Sequence, residues 1–205
     1  MKKVIFGISV AVILVVAACS EETELKRSVF IPDKTYPDLP AYSEWGYNSF
    51  GAYYDMVPFI SNEYGVTAKM INTGGKTSFT LNGHMSHGYY YNYYPGDEVS
   101  LIFDFYDFDP QSYTDLISLN DLTVNLTDPT CMVRVKMDTA SYELDILSGT
   151  LFFKRAQNLY VDKKLAEVIL SGTFGFQALV DGEEPISVTL GRFDVGIGFD
   201  NFFRY

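Results

Sequence analysis

Strict alternation of apolar side chains over sixteen residues is the feature that most limits what this chain can fold into. Between Leu165 and Val180 every second residue is apolar or glycine, and the positions between them are mixed. Side chains on a β-strand point alternately to the two faces of a sheet, so this run predicts a strand with one face on a hydrophobic core. The apolar face comprises Ala166, Val168, Leu170, Gly172, Phe174, Phe176, Ala178 and Val180.

The residues after Val180 predict a hairpin and then a β-bulge. Asp181 and Gly182 are typical turn residues, and the alternation resumes from Ile186 on even-numbered positions. From residue 193 onward the apolar positions are odd-numbered, so one extra residue must be absorbed near Gly191 and Arg192. A β-bulge accommodates one extra residue in this way.

Shorter stretches with the same period predict further strands. They lie near residues 49–55, 67–71, 77–81, 98–106, 121–126, 132–138 and 149–155, and the predicted connections are Gly74–Gly75, Asn82–Gly83, Pro95–Gly96 and Asp162–Lys163. A short helix is expected around residues 110–119. About nine or ten strands with little helix predict an all-β fold, either an antiparallel β-barrel or a β-sandwich.

The N-terminus predicts export and a lipid anchor. Two lysines precede an apolar run over residues 4–16, and Ala17 and Ala18 stand before Cys19. A basic start, an apolar core and small residues before a cleavage site are typical of a secretory signal, and the run is too short to span a bilayer. The segment resembles a lipobox, which implies that Cys19 is acylated and anchors the mature protein to a membrane.

The rest of the chain divides into a predicted tether and one domain. Residues 20–42 are charged and then rich in proline, so we interpret them as a tether. Residues 43–205 are expected to form a single all-β domain. Ser20, directly after Cys19, favours the outer membrane by the sorting rule for enterobacterial lipoproteins, and residues 20–22 resemble the acidic export signal of surface lipoproteins in Bacteroidota. We therefore expect a lipid-anchored protein of the outer membrane that faces the cell surface.

The charge of the mature chain excludes several partners. Removal of residues 1–19 leaves 13 basic against 26 acidic residues, a net charge of about −13. Phosphate backbones would repel such a chain, so we expect no nucleic-acid partner. Once Cys19 is acylated, Cys131 is the remaining thiol, so no internal disulfide forms, and Cys131 is expected to be a small core residue. We identify no cofactor or metal motif.

Three short stretches resemble a known family. They are residues 48–52 (NSFGA), residues 171–174 (SGTF) and residues 191–195 (GRFDV). They look like segments of small uncharacterised Bacteroidota outer-membrane lipoproteins. This resemblance implies an all-β fold and the same location, and the family has no assigned catalytic residues to carry over.

A run of tyrosines is the clearest candidate for a binding surface. Tyr89, Tyr90, Tyr91, Tyr93 and Tyr94 fall within six positions, so they cannot all face one core. A flat ring with a hydroxyl group suits sugars or protein partners. The alternative is a wide strand, or a cluster that closes the end of a barrel.

One further modification site is predicted. Residues 138–140 (DTA) resemble the O-glycosylation acceptor of Bacteroidota proteins, which would place a glycan on Thr139.

One glycine pair resembles part of a phosphate-binding loop. Gly74 and Gly75 precede Lys76 and Thr77, but the first glycine of that motif would fall at Met70, and a strand rather than a helix follows. We therefore interpret the segment as a glycine-rich hairpin.

The histidines and one acidic run are also weighed as sites. His84 and His87 are three positions apart and would face opposite sides of a strand, so we interpret them as polar loop residues rather than metal ligands. Asp104, Asp107 and Asp109 fail the spacing of a calcium-binding loop, and we expect them at a solvated strand end.

Three functions remain open from the sequence. The leading hypothesis is a non-enzymatic outer-membrane binding module for an extracellular glycan or protein. The second is a lipocalin-like carrier of a small apolar ligand, which a tightly packed interior would contradict. The third, and least supported, is an enzyme acting on envelope polymers.

Overall fold

The structure, a computed structural model, describes residues 27–85, 98–137, 139–180 and 184–205. Within these ranges the chain forms eleven strands and one 3₁₀-helix, Tyr113–Leu119. The strands are β1 (Ser49–Tyr54), β2 (Val57–Ser61), β3 (Ala68–Asn72), β4 (Thr77–Met85), β5 (Glu98–Phe105), β6 (Leu122–Asn125), β7 (Cys131–Met137), β8 (Ala140–Val161), β9 (Lys164–Val180), β10 (Glu184–Gly198) and β11 (Phe202–Arg204). In the described part of the chain no helix is long and apolar enough to cross a membrane.

Hydrogen bonds between neighbouring strands close a ring. The order runs β4, β2, β1, β10, β9, β8, β7, β5 and back to β4, and every pairing in this ring is antiparallel. Three short strands in the described part of the chain lie outside the ring. Strand β3 pairs with β4, β6 pairs with β8, and β11 lies parallel to β3. The prediction of an all-β fold is confirmed, and the closed ring corresponds to the barrel alternative. The short strands β2 and β11 were not predicted.

Phenylalanine rings fill the interior of the barrel. Phe50, Phe79, Phe103 and Phe153 are completely buried, and Phe193 is 1% exposed. The Phe193 ring lies 5.4 Å from that of Phe79 and 5.5 Å from that of Phe153, centroid to centroid. These edge-to-face contacts join side chains from different strands of the barrel. Aromatic side chains therefore pack the interior in the described part of the protein.

Several local predictions are confirmed. Strands β9 and β10 form the predicted hairpin, and their register shifts between Val188 and Gly191, where Leu190 has a φ of 53°, so the bulge is present. Asp162 and Lys163 connect β8 to β9 with positive φ angles of 50° and 64°, as a tight hairpin turn requires. The predicted short helix begins after Ser112, which caps it.

The prediction that Asn82 and Gly83 form a connection is wrong. Both residues lie inside β4, which continues to Met85. A Cβ atom on Gly83 would lie 2.1 Å from the carbonyl oxygen of Ile60, so glycine is required here because β2 passes too close for a side chain.

Residues 28–47, which we call the strap, are folded against the outside of the barrel. Leu39 is completely buried, and the backbone N–H of Ser28 donates to the carbonyl of Glu63, which follows β2, at 3.1 Å. The prediction of a tether over residues 20–42 is therefore corrected for its described part, which belongs to the domain. The strap is held by polar side-chain contacts and tight turns rather than by regular alternation, so its sequence resembles that of a linker.

Two outward-facing side chains of β10 hold the strap. Arg192 is 9% exposed and donates from Nη1 to the Oδ2 of Asp33 at 2.9 Å. Asp194 is 2% exposed, and its carboxylate accepts hydrogen bonds of 2.9–3.1 Å from the backbone N–H groups of residues 45–47. The hydroxyl of Ser171 donates to the same carboxylate at 3.0 Å. Asp194 thus ties the end of the strap to the sheet.

Candidate functional site

Most of the residues predicted as sites cannot be placed. Cys19 and the tyrosines of residues 89–94 lie outside the described residues, so lipid attachment and the tyrosine surface stay predictions. Thr139 is exposed in the turn between β7 and β8. Its glycosylation also stays a prediction, and Asp138 lies outside the described residues.

His84 lies in a strand rather than in a loop, which corrects the expectation. Its ring Nδ1 is 2.6 Å from the Oδ1 of Asn62, and burial lowers the pKa of its imidazole. His87 lies outside the described residues. Within those residues no group of three or more histidine, cysteine or acidic side chains is arranged to hold a metal ion.

The glycine-rich hairpin and Cys131 are where the sequence placed them. Asn72 pairs with Thr77 across the turn between β3 and β4, and no helix follows the two glycines. Cys131 is partly buried against the core, and burial raises the pKa of its thiol to about 11. Such a thiol is protonated and unreactive at neutral pH.

Asp104 is not at a solvated strand end, so that expectation is wrong. It is completely buried on the outer side of β5, and its carboxylate accepts two hydrogen bonds from Arg134, at 2.7 and 3.0 Å. Burial by itself would raise the pKa of Asp104, but the hydrogen bonds from Arg134 and Ser78 outweigh it and hold the pKa below the ordinary value of 3.8. The group is a structural ion pair.

This ion pair predicts an acid-dependent loss of stability. A carboxylate whose pKa is lower in the folded state contributes stability that is present above its ordinary pKa and is lost as the pH falls through the folded-state value. In Arg134→Met the hydrogen bonds and the charge of Arg134 no longer lower the pKa of Asp104 while burial still raises it, so this pKa should rise. Urea unfolding at a series of pH values below about pH 5 should show a smaller acid-induced loss in this variant than in the wild type. Lys136→Met, an exposed change on the same strand, serves as control; an unchanged profile in Arg134→Met would contradict the assignment.

A polar cleft lies at the end of the barrel where β8 turns into β9. Its walls come from residues 65–68 before and at the start of β3, from residues 161–167, and from residues 196–201, together with Asn48. Its volume is about 510 Å³, within the roughly 300–1,000 Å³ of small-ligand pockets. We call these residues the polar cleft.

Backbone amides and asparagines shape the floor of the polar cleft. Asn48 accepts a hydrogen bond from the N–H of Gly196 at 2.9 Å, and Asn201 accepts one from the N–H of Gly198 at 2.7 Å. A Cβ atom on Gly196 would lie 1.9 Å from Oε2 of Glu167. Glycine at this position therefore lets the Glu167 carboxylate lie directly against β10.

A buried hydroxyl in the polar cleft lacks a partner. Thr67 is 6% exposed and lines the cleft. Its Oγ1 is the one buried side-chain nitrogen or oxygen in the described part of the protein that makes no hydrogen bond. Leaving a buried hydroxyl unpaired costs about 1–3 kcal/mol, so a group that binds this oxygen would recover that free energy.

Thr67→Val tests whether this hydroxyl is unpaired in the free protein. Valine has nearly the same shape and removes the unpaired oxygen, so we expect the free energy of unfolding to rise by about 1 kcal/mol. The matched control is Thr77→Val, because the hydroxyl of Thr77 donates to the carbonyl of Phe108 and its loss should destabilise by a similar amount. Urea unfolding of both variants measures the difference; destabilisation by Thr67→Val would show that the hydroxyl has a partner.

The rim of the polar cleft is acidic and carries one exposed aromatic ring. Asp162, Glu167 and Asp200 line it with a single basic side chain, Lys164. The ring of Phe199 is 85% exposed. Carboxylates and amides hydrogen-bond to hydroxyl or amine groups, and an exposed flat ring offers an apolar surface beside them.

Sequence reasoning missed this site because its residues come from four separate segments. Positions 48, 67, 167 and 199 share no spacing, and the cleft exists because strand order brings the segments together. The one local signal was Phe199, an apolar residue followed by Asp200 and Asn201 beyond the end of the alternating run. Comparisons with protein-family models, with curated proteins and with solved structures found no match for this chain.

Proposed function

We propose that the protein is a non-enzymatic, lipid-anchored module of the outer membrane that binds an extracellular glycan in the polar cleft. The observation that carries the proposal is the combination of polar walls with the 85% exposed ring of Phe199. Sugar rings present hydroxyl groups at their edges and C–H groups on their faces. A cleft that binds them needs hydrogen-bonding side chains and a flat apolar surface together.

Thr67 supports the proposal. Rotation about its Cα–Cβ bond moves the hydroxyl to another staggered position, so the hydroxyl can turn toward a ligand in the cleft. A threonine hydroxyl both donates and accepts, and so does each hydroxyl of a sugar. Binding would then supply the hydrogen bond that Oγ1 lacks in the described structure.

The charge of the cleft narrows the ligand class. The cleft is lined by three carboxylates and one lysine, so it would repel uronic acids, sulfated sugars and phosphates. Neutral or amino sugars are accepted by the same groups. The mature net charge of about −13 adds to the repulsion of polyanions and again excludes nucleic acid.

The packed interior favours this function over the carrier. A lipocalin-like carrier needs a cavity inside the barrel, and the described interior is occupied by phenylalanine rings 5.4–6.4 Å apart. The anchoring part of the proposal rests on the N-terminal signal and on the resemblance to Bacteroidota lipoproteins. Surface exposure is tested by protease treatment of intact cells, with a periplasmic protein as control.

Glycan binding is tested with the full lipidated protein in detergent. The protein is screened on an array of neutral, amino and acidic glycans, and hits are titrated by calorimetry. We expect Phe199→Ala and Thr67→Val each to weaken binding by about tenfold, equivalent to 1.4 kcal/mol. Tyr142→Ala, an exposed aromatic change on β8 away from the cleft, should have no effect.

Three results would contradict the site or the function. If only the combined change Tyr90→Ala, Tyr91→Ala and Tyr94→Ala abolishes binding, the ligand binds at the tyrosine run rather than in the polar cleft. If extracted surface proteins bind and glycans do not, the ligand is a protein. If a bound glycan is hydrolysed, the protein is an enzyme.

A further inference from the structure

Because the strap is folded onto the barrel, only a short stretch of chain separates the folded domain from the predicted lipid anchor at Cys19. Ser28 is 6% exposed, its N–H donates to the carbonyl of Glu63 at 3.1 Å, and its hydroxyl lies 2.9 Å from that of Ser61. Arg27 forms an ion pair with Glu63. The folded domain therefore begins at Ser28, and only residues 20–27 separate it from Cys19. We call residues 20–27 the leash.

The length of the leash limits the orientation of the domain. Nine residue steps join Cys19 to Ser28, and a fully extended chain covers about 3.5 Å per step, so this distance is at most about 30 Å. The predicted tether to residue 43 would have allowed about 85 Å by the same measure. A domain of this size is about 40 Å across. An orientation with Ser28 facing away from the bilayer would therefore require more chain than is present.

Exposed apolar side chains lie at, or within two residues of, the positions that contact residues 27–29. The guanidinium of Arg27 lies 5.5 Å from the centre of the Tyr64 ring, and Tyr47, bonded to Val29, is two residues beyond Trp45. Their exposed fractions range from 42 to 76%. These residues, which we call the apolar collar, are Val29, Phe30, Ile31, Trp45, Tyr64 and Val66.

We infer that the apolar collar faces the membrane and rests on the bilayer surface when Cys19 is acylated. The inference rests on the lipid anchor of the proposed function. Aromatic and aliphatic side chains are favoured at the boundary between headgroups and acyl chains, and the anchor keeps the collar at high local concentration beside it. Because the chain is acidic, apolar contact rather than charge attraction holds the collar there.

This orientation also determines where the polar cleft lies relative to the membrane. Val66 belongs to the apolar collar and, with the neighbouring Thr67, lines the cleft. The cleft therefore opens beside the membrane surface. Its ligand would be a glycan lying close to the bilayer rather than one held at a distance from it.

The single tryptophan of the chain allows a direct test. Trp45 is 76% exposed and lies in the collar. The lipidated full-length protein is reconstituted into neutral phosphatidylcholine vesicles that contain a trace of dansyl-labelled lipid, and energy transfer from Trp45 to dansyl is measured. We expect strong transfer in the wild type. Insertion of twenty Gly and Ser residues between Glu22 and Thr23 raises the average reach of the leash from about 16 Å to about 30 Å and should lower transfer at least twofold.

Side-chain variants separate docking from the short leash. In Val29→Ser with Phe30→Ser and Ile31→Ser, the anchor and the leash are unchanged, and we expect transfer to fall while far-UV circular dichroism stays native. The control is Leu122→Ser with Leu147→Ser, two exposed leucines outside the collar, which should leave transfer unchanged.

Each outcome supports or overturns the inference. Transfer in the collar variant equal to that of the wild type would overturn it, whatever the insertion variant shows. Mass spectrometry showing that Cys19 carries no lipid would also overturn it, together with the anchoring part of the proposed function. Glycan binding is measured separately in detergent, so a failure of the cleft would not be confused with a failure of docking.

Discussion

Replacing Asp194 with alanine is expected to lower the free energy of unfolding by roughly 3 kcal/mol, because the change removes the acceptor of one buried and three part-buried hydrogen bonds at once. The carboxylate accepts hydrogen bonds from the backbone N–H groups of Trp45, Gly46 and Tyr47 and from the hydroxyl of Ser171. In the variant these donors lose their acceptor unless the strap detaches. Urea unfolding followed by circular dichroism measures the loss, and limited proteolysis within residues 28–47 reports whether the strap detaches first.

Two further variants calibrate this result. Asp194→Asn keeps one acceptor oxygen and should lose about half as much stability. Asp107→Ala, an exposed change, should alter the free energy of unfolding by less than about 0.5 kcal/mol. If Asp194→Ala were as stable as Asp107→Ala, the strap would not depend on this carboxylate.

Replacing Phe193 with alanine should cost about 3–5 kcal/mol, since it empties the centre of the aromatic core. The side chain is 1% exposed and contacts the rings of Phe79 and Phe153. Closely packed interiors relax only partly around such a deletion, so a cavity remains. Thermal and urea unfolding measure the cost, and Phe199→Ala, at an 85% exposed position beyond the same strand, is the matched control.

Phe193→Ala also tests whether the interior of the barrel is fully packed or has room for a ligand, as a carrier would. In Phe193→Ala, a small apolar molecule such as benzene should raise the melting temperature, because it fills the new cavity, whereas it should not stabilise the wild type. Stabilisation of the wild type by benzene or by extracted lipids would show that the interior already accepts ligands, which would favour the carrier.

Phe193 and Asp194 are adjacent in β10, but one packs in the core and the other binds the strap. Alternation places Phe193 inside the barrel and Asp194 outside it. The inner position was predictable from the apolar pattern of β9 and β10. The outer position was not, because nothing in the sequence near Asp194 shows that residues 45–47 fold back onto it.

The regular elements were predictable where one face of a strand meets the core and the other does not. Strands β9 and β10, their hairpin and the bulge before Gly191 follow from the shift of the apolar positions. The first part of β8 was not predicted, although its residues 140–146 alternate between apolar and polar side chains. Its residues 140–143 are exposed on both faces, so burial does not distinguish the two faces there. Strand β2 was missed because it is only five residues long and contains Pro58.

The sequence by itself determined the all-β class, the faces of the long strands and the expectation of a lipid anchor, since these depend on local composition and on a period of two residues. The tertiary structure alone decided the closure of the ring, the docking of the strap and the position of Thr67 beside Glu167 and Phe199. Those features depend on contacts between segments far apart in the chain, where a single hydrogen bond or close approach leaves no repeated pattern to recognise.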